Sequence, residues 1–200
     1  MHEIRKIVRE TIEEDDWFKR VLNLVRQKTG YKLDKFVGSG TCGAAYELPN
    51  NIILKVSTDG KEADAAEDLK EKESEYLADI YKVIVVENET FVILLEKLEN
   101  LTQSQIYAFN CFWKSYMDFK SLYNTETLPV FLATGYNKDL AELLKQEDKF
   151  NKVPGYSTLQ IYEDLLMIYN EAKSKGVLVT DIQVDNMGQK NGHLSMFDIS

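Results

Sequence analysis

Gly38-Ser39-Gly40-Thr41-Cys42-Gly43 is a G-x-G-x-x-G run, and the segment directly after it decides what the chain can fold into. A dinucleotide-binding βαβ unit needs a helix directly after such a run. Here Ala44 to Leu48 reads as a strand, closed by the turn tripeptide Pro49-Asn50-Asn51. Tyr31 to Val37 reads as a strand before the run, so the glycines sit in a strand–loop–strand hairpin. Ile52 to Val56 is a third, β-rich strand and carries Lys55. Val83 to Val86 and Phe91 to Leu95 are apolar runs joined by Glu87-Asn88-Glu89, which predicts an antiparallel hairpin. Between the third strand and that hairpin, Thr58 to Asp79 is strongly acidic and predicted helical. The order is strand, strand, strand, helix, strand, strand.

Helical patterns flank this block. Residues 1–29 predict one bent helix or two, from Ile4, Ile7, Val8 and Ile12 and then Trp17, Val21, Leu24 and Val25, with Gly30 as the stop. Beyond Leu101, helices are predicted over Ile106 to Tyr123, Asp139 to Lys149 and Leu159 to Lys175, with Pro129, Gly135, Pro154 and Gly155 as punctuation. The aromatic run Phe109, Phe112, Trp113, Tyr116 and Phe119 is expected to be mostly core. Val177 to Thr180 is a short predicted strand leading into Asp181, and Gly192 to Ile199 holds a second one ending at Asp198.

A length of 200 residues with 44% hydrophobic and 11% aromatic residues suits one domain or two small lobes around a real core. The net charge of −9 argues against nucleic acid or an anionic membrane as the main partner, because both need a basic field. Cys42 and Cys111 give neither metal spacing nor a disulfide framework. The first ten residues lack an apolar signal core, and no apolar run approaches the length of a membrane span, so a cytoplasmic location is expected.

Taken together, the glycine run, Lys55 in Ile52-Ile53-Leu54-Lys55, the acidic helix, Asp181-Ile182-Gln183-Val184-Asp185-Asn186 and Met196-Phe197-Asp198-Ile199-Ser200 resemble the protein-kinase-like superfamily. Singly, each piece could be an ordinary turn or a solvent-facing strand lysine. The resemblance implies an α+β, bilobal, protein-kinase-like fold. Its first lobe would be a five-stranded antiparallel sheet with one main helix, and its second a reduced, mostly helical lobe ending just after the D-F-G-like element. The boundaries it implies are an N-terminal helical extension over 1–30, the first lobe over 31–98 and the second over 99–200.

The same resemblance assigns roles. Gly38, Ser39, Gly40, Thr41 and Gly43 would cradle the phosphates of ATP, and Lys55 would neutralise them. A helix carboxylate would hold Lys55. Glu73 is selected because Leu77 and Ile80 follow at i+4 and i+7 on its face, with Glu67, Glu71 and Glu75 as alternatives. Leu95-Glu96-Lys97-Leu98 resembles the hinge, where Glu96 and Leu98 would offer backbone groups to adenine. Asp181 would be the catalytic base, and Asn186 and Asp198 the Mg²⁺ ligands.

The chain also departs from the pattern. Val179 and Thr180 stand where the family has His and Arg before the catalytic aspartate, and Gln183 stands where serine/threonine kinases carry a lysine. The expectation is a minimal serine/threonine protein kinase dependent on ATP and Mg²⁺, similar to compact bacterial-effector or phage-encoded kinases. The protein acceptor or partner would be contacted through the 101–156 segment. The competing expectations are a pseudokinase that binds nucleotide or a partner, and a small-molecule kinase of the aminoglycoside- or choline-kinase type.

Overall fold

The computed structural model describes residues 16–33, 35–40, 42–87, 89–123, 127–151 and 155–197. Two compact units emerge: one holds the chain up to Glu73 together with Asp79–Lys97, the other Ser74–Ala78 and Leu98–Ser200.

In the first unit, helix α1 (Asp16–Thr29) precedes strands β1 (Lys35–Gly40), β2 (Gly43–Leu48) and β3 (Ile52–Ser57). Helix α2 (Gly60–Leu69) and the hairpin of β4 (Ile80–Glu87) and β5 (Thr90–Glu96) complete it. The five strands form one antiparallel sheet in the order β1-β2-β3-β5-β4. The expected α+β class and five-stranded antiparallel sheet are therefore present.

Side chains alternate across a strand, so the register sorts this sheet into two faces. Ala44, Tyr46 and Leu48 of β2, Leu54 and Val56 of β3, and Val92 and Leu94 of β5 form one apolar face. Val21, Leu22 and Val25 of α1 cover it, with Val25 fully buried. The Lys28 ammonium ties the same helix to β4 by donating to the Val86 carbonyl at 2.5 Å. Lys55 lies between Leu54 and Val56 in sequence, so it takes the opposite face, the one that α2 serves. The helix expected over residues 1–29 is thus present from Asp16 onward, and its first half lies outside the described residues.

Helix α2 is shorter than expected. Asp59 caps its start, accepting from the Lys61 N–H at 2.9 Å. It ends at Leu69, where Lys70 turns extended and Glu71 adopts a φ of +63°. No basic residue occupies the last turn, and a longer helix would pile Glu71, Glu73 and Glu75 on its negative C-terminal end.

The second unit is built on α3 (Gln103–Tyr123), α4 (Leu128–Ala133), α5 (Lys138–Asn151) and α6 (Thr158–Ser174). Phe109, Phe112, Tyr116 and Phe119 are buried as expected, while Trp113 stays 39% exposed. The Phe112 ring stacks on Tyr162 of α6 at 6.2 Å, and Phe131 of α4 closes on Tyr116 at 5.6 Å. The aromatic stripe of the 101–156 segment is therefore core, while Tyr107, Trp113, Met117, Leu122, Val130 and Tyr136 stay exposed. Helix α4 went unforeseen because Pro129 read as a break, whereas proline is favoured at the first helical positions.

A second, two-stranded sheet of β6 (Met187–Lys190) and β7 (His193–Met196) comes after the long helix. Asn191 and Gly192 connect the two strands with φ of +53° and +85°, the conformation a two-residue hairpin loop demands. The strand expected at Val177 to Thr180 is assigned to no sheet, although Val177 and Val179 are buried and Leu178 is exposed. No helix among the described residues is long and apolar enough to cross a membrane.

Candidate active site

In the first unit, the glycines divide into two kinds. A Cβ at Gly43 would lie 1.9 Å from the Val56 carbonyl oxygen, so this glycine is required by the close approach of β2 to β3. Among the described residues, nothing lies within 4 Å of the same position at Gly38 or Gly40, and neither has a positive φ. Neither the packing of the described residues nor the backbone explains their missing side chains. What their absence provides is bare backbone with open space above it. Ser39 lies between them in β1, opposite Ala44. Thr41 lies outside the described residues.

Lys55 projects from the middle of β3, opposite Ala45 on one side and Ile93 on the other. Its ammonium makes a close ion pair with Oε1 of Glu62 in the first turn of α2. The two side chains are only 19% and 6% exposed. Removing one member of such a buried pair strands the other charge, at a cost of about 3–5 kcal/mol. The second carboxylate oxygen, Oε2, accepts from the buried Ser57 hydroxyl at 2.6 Å.

Glu62 thus takes the place expected for Glu73. Glu73 is exposed and lies four residues past the end of α2, so it is not a helix carboxylate at all. Glu67 is on the helix but pairs with Lys70 at 2.5 Å. Sequence reasoning missed Glu62 although the signal was there. Ala66 and Leu69 follow it at i+4 and i+7, the spacing that singled out Glu73, and both are buried.

At the end of β5, the Glu96 N–H donates to the Asp79 carbonyl at 2.8 Å. The Glu96 carboxylate accepts from the Asp79 N–H at 3.2 Å. Leu98, the first residue of the second unit after the crossover, is buried. It packs over Gly188, where a Cβ would meet the Leu98 Cβ at 2.5 Å. Glu99 and Gln189 exchange backbone hydrogen bonds of 3.1 and 2.9 Å beside it.

In the second unit, the run after α6 brings Asp181 and Asn186 together. Buried Val179 and Ile182 anchor the run, and a short 3₁₀ turn at Val184–Asn186 folds the chain back. The Asn186 side-chain amide donates to Oδ2 of Asp181 at 3.0 Å and to its backbone carbonyl at 3.1 Å. The Gln183 amide donates to the other carboxylate oxygen, Oδ1, at 2.6 Å. Both oxygens of Asp181 are therefore held by neutral donors from its own loop. The Phe197 N–H donates to the Asn186 carbonyl at 3.2 Å, which fastens the residue before Asp198 to the same loop. Asp198 itself lies outside the described residues. Among the described residues, no group of three or more His, Cys, Asp or Glu side chains is placed to hold a metal ion.

The hairpin joining these two segments is fixed from below. Buried Asp164 of α6 accepts from the Leu194 N–H at 2.8 Å and from the Gln160 amide at 3.0 Å. Tyr156 donates a short hydrogen bond to the same carboxylate. Burial, and then that carboxylate, push the Tyr156 phenol well above its ordinary range, so it stays a donor.

No family model matches the sequence, and no curated protein is similar to it. Among solved structures, the chain is similar to a crystal structure of Rad53 1-466 in complex with AMP-PNP, with a TM-score of 0.46 and 13% identity. The match covers 93% of this chain and 43% of that one, so the chain spans less than half the length of that protein's chain.

Proposed function

We propose that this chain is a protein-kinase-like phosphotransferase that binds ATP with Mg²⁺ and transfers the γ-phosphoryl group to a serine or threonine hydroxyl of a protein. The observation that carries this reading is the buried Lys55–Glu62 pair, set on a strand and helix beside the glycine-rich hairpin. A lysine held this way is a cation fixed in position by a buried carboxylate, which suits it to polyphosphate. The open backbone at Gly38 and Gly40 fits the same ligand, since a phosphate approaches amide groups closely only where no Cβ intervenes.

On this reading, residues 31–98 and 99–200 are the two lobes of a kinase-like fold, and 1–30 is an N-terminal extension. The stretch from Glu96 to Leu98 reads adenine with its backbone. The Glu96 N–H is already spent on Asp79 and the Lys97 N–H on Asn51, so neither of these two N–H groups serves adenine. Asp181 orients the acceptor hydroxyl and takes its proton as the oxygen attacks phosphorus. Asn186 turns its amide nitrogen to Asp181, which leaves its Oδ1 as the oxygen suited to a hard cation. With Asp198, it would hold Mg²⁺, whose bound form neutralises charge developing on the phosphates.

One observation favours the pseudokinase reading instead. Gln183 supplies a neutral donor to Asp181 where a lysine would supply charge to the γ-phosphate, so the loop contributes less to a transition state. A transfer assay with γ-labelled ATP and Mg²⁺, run alone and with a lysate, separates the two. Label on this chain or on an acceptor protein, lost in Asp181→Asn, is the expected result. Nucleotide binding without transfer to any acceptor would leave a binding module.

A further inference from the structure

The hydrogen bonds around the end of β3 join two parts of the first unit that could have been independent. Ser57 is fully buried. Its hydroxyl donates to Glu62 Oε2 at 2.6 Å and accepts from the Asp59 N–H at 3.1 Å. That uses the one proton and one lone pair of the group in opposite directions. Asp59 in turn caps α2, accepting from the Lys61 N–H at 2.9 Å. The start of the helix is therefore fixed immediately after the strand, and Glu62 lies only seven residues beyond Lys55.

Thr58 holds the other side. Its N–H and its hydroxyl both donate to the Cys42 carbonyl, at 2.7 and 3.1 Å. Ser57 is also the register partner of Gly43, the glycine that must lack a side chain to let the strands close. Two adjacent residues thus clamp the carboxylate that holds Lys55 and the end of the glycine-rich run.

We propose that Ser57 and Thr58 form a positioning clasp that keeps the Lys55–Glu62 pair assembled and in register with the glycine-rich hairpin before any ligand arrives. A carboxylate in the middle of a long helix could be carried away from its lysine by a movement of that helix. Glu62 cannot leave in this way without breaking the Ser57 bond and uncapping α2. Displacing the helix carboxylate of this chain therefore carries the cost of those bonds, and Ser57 acts through Glu62 rather than on a ligand. What the clasp does for nucleotide rests on the function proposed above.

Two measurements test it on the full chain. The first tracks the Glu62 side-chain carboxyl by ¹³C NMR through a pH titration without nucleotide. Ser57→Ala removes a donor to the carboxylate, so the midpoint should rise, and Ser57→Thr, which keeps the hydroxyl, should restore it. The second is calorimetric affinity for Mg²⁺ with a non-hydrolysable ATP analogue. Ser57→Ala should weaken it about tenfold, roughly the effect of one hydrogen bond to a charged group. In a Glu62→Gln background the same change should do nothing further. If Ser57→Ala does not fold, Ser57→Cys gives the same comparison with a similar volume and a poorer donor. An unchanged Glu62 titration, or an equal loss of affinity with and without Glu62, would overturn the clasp. A wild-type chain that binds no nucleotide would defeat the proposed function, while the titration still decides the clasp.

Discussion

At the scale of single residues, glycine is used here for two different reasons, and mutation should separate them. Gly43→Ala drives a methyl into the Val56 carbonyl and should destabilise the fold by about 1–3 kcal/mol, as overpacking does, lowering the melting temperature. Gly38→Ala meets open space and adds a better strand residue, so the melting temperature should hold or rise. If Gly38 is bare so that phosphate can approach, the same variant should bind nucleotide more weakly. Asp181→Asn should leave melting temperature and nucleotide affinity near wild type while transfer falls about 10²–10⁴-fold, the usual worth of a general base. Transfer by Asp181→Asn at the wild-type rate would remove Asp181 from catalysis.

The pieces of the candidate site stand out in the sequence as residue types because each carries its own local signal: glycines before a strand, a lysine inside an apolar strand, Asp and Asn five apart. The partner of Lys55 was not legible in that way. Glu62 and Glu73 both satisfy the same i+4 and i+7 spacing, and choosing between them needs the helix boundary. Glu62 lies inside the boundary and Glu73 outside it.

At the scale of elements, that boundary was hidden because helical composition continues past Leu69 while the electrostatics do not. The chain from Ser74 to Ala78 belongs instead to the second unit. The Ala78 N–H donates to the Met196 carbonyl at 2.9 Å. Glu171 of α6 accepts from the Tyr76 N–H at 2.8 Å and the Glu75 N–H at 3.2 Å, and pairs with Lys175 at 3.1 Å. Burial alone would raise the Glu171 carboxyl, but the Tyr76 N–H and Lys175, with the Glu75 N–H, outweigh it and hold it below its ordinary value of 4.5.

A depressed carboxylate stabilises the fold above its unfolded value and loses that contribution as pH falls through the folded one. Glu171→Gln should therefore cost about 1–3 kcal/mol near neutral pH and flatten the loss of stability on acidification below about pH 4.5. Chemical denaturation at pH 7 and at pH 3 measures both effects. Equal destabilisation at the two pH values would mean that Glu171 acts through packing and not through its charge. No sequence pattern announces such a contact, because its partners lie almost a hundred residues apart.

At the scale of the whole molecule, one face of the five-stranded sheet depends on α1 for cover. Val21, Leu22 and Val25 shield Tyr46, Leu54, Val92 and Leu94 from water. Deleting the residues before Gly30 should expose that face and give a chain that aggregates or melts at markedly lower temperature. An unchanged melting temperature would show the helix to be an appendage. The helical periodicity of this stretch was plain from its sequence, but not its target, since an amphipathic stripe does not say which apolar surface it covers.

The pairing of Lys55 with Glu62 as the anchor of a nucleotide site is the central claim, and one thermal-shift series tests it most directly. The wild-type chain, Lys55→Met, Glu62→Gln and Glu73→Gln would each be melted with and without Mg²⁺ and ATP. A ligand that binds only the folded form raises the melting temperature. The expected result is a Mg²⁺-dependent rise in the wild type and in Glu73→Gln, with most of it lost in Lys55→Met and Glu62→Gln. The contradicting result is a rise that survives in Lys55→Met and Glu62→Gln, or one that disappears only when Glu73 is changed.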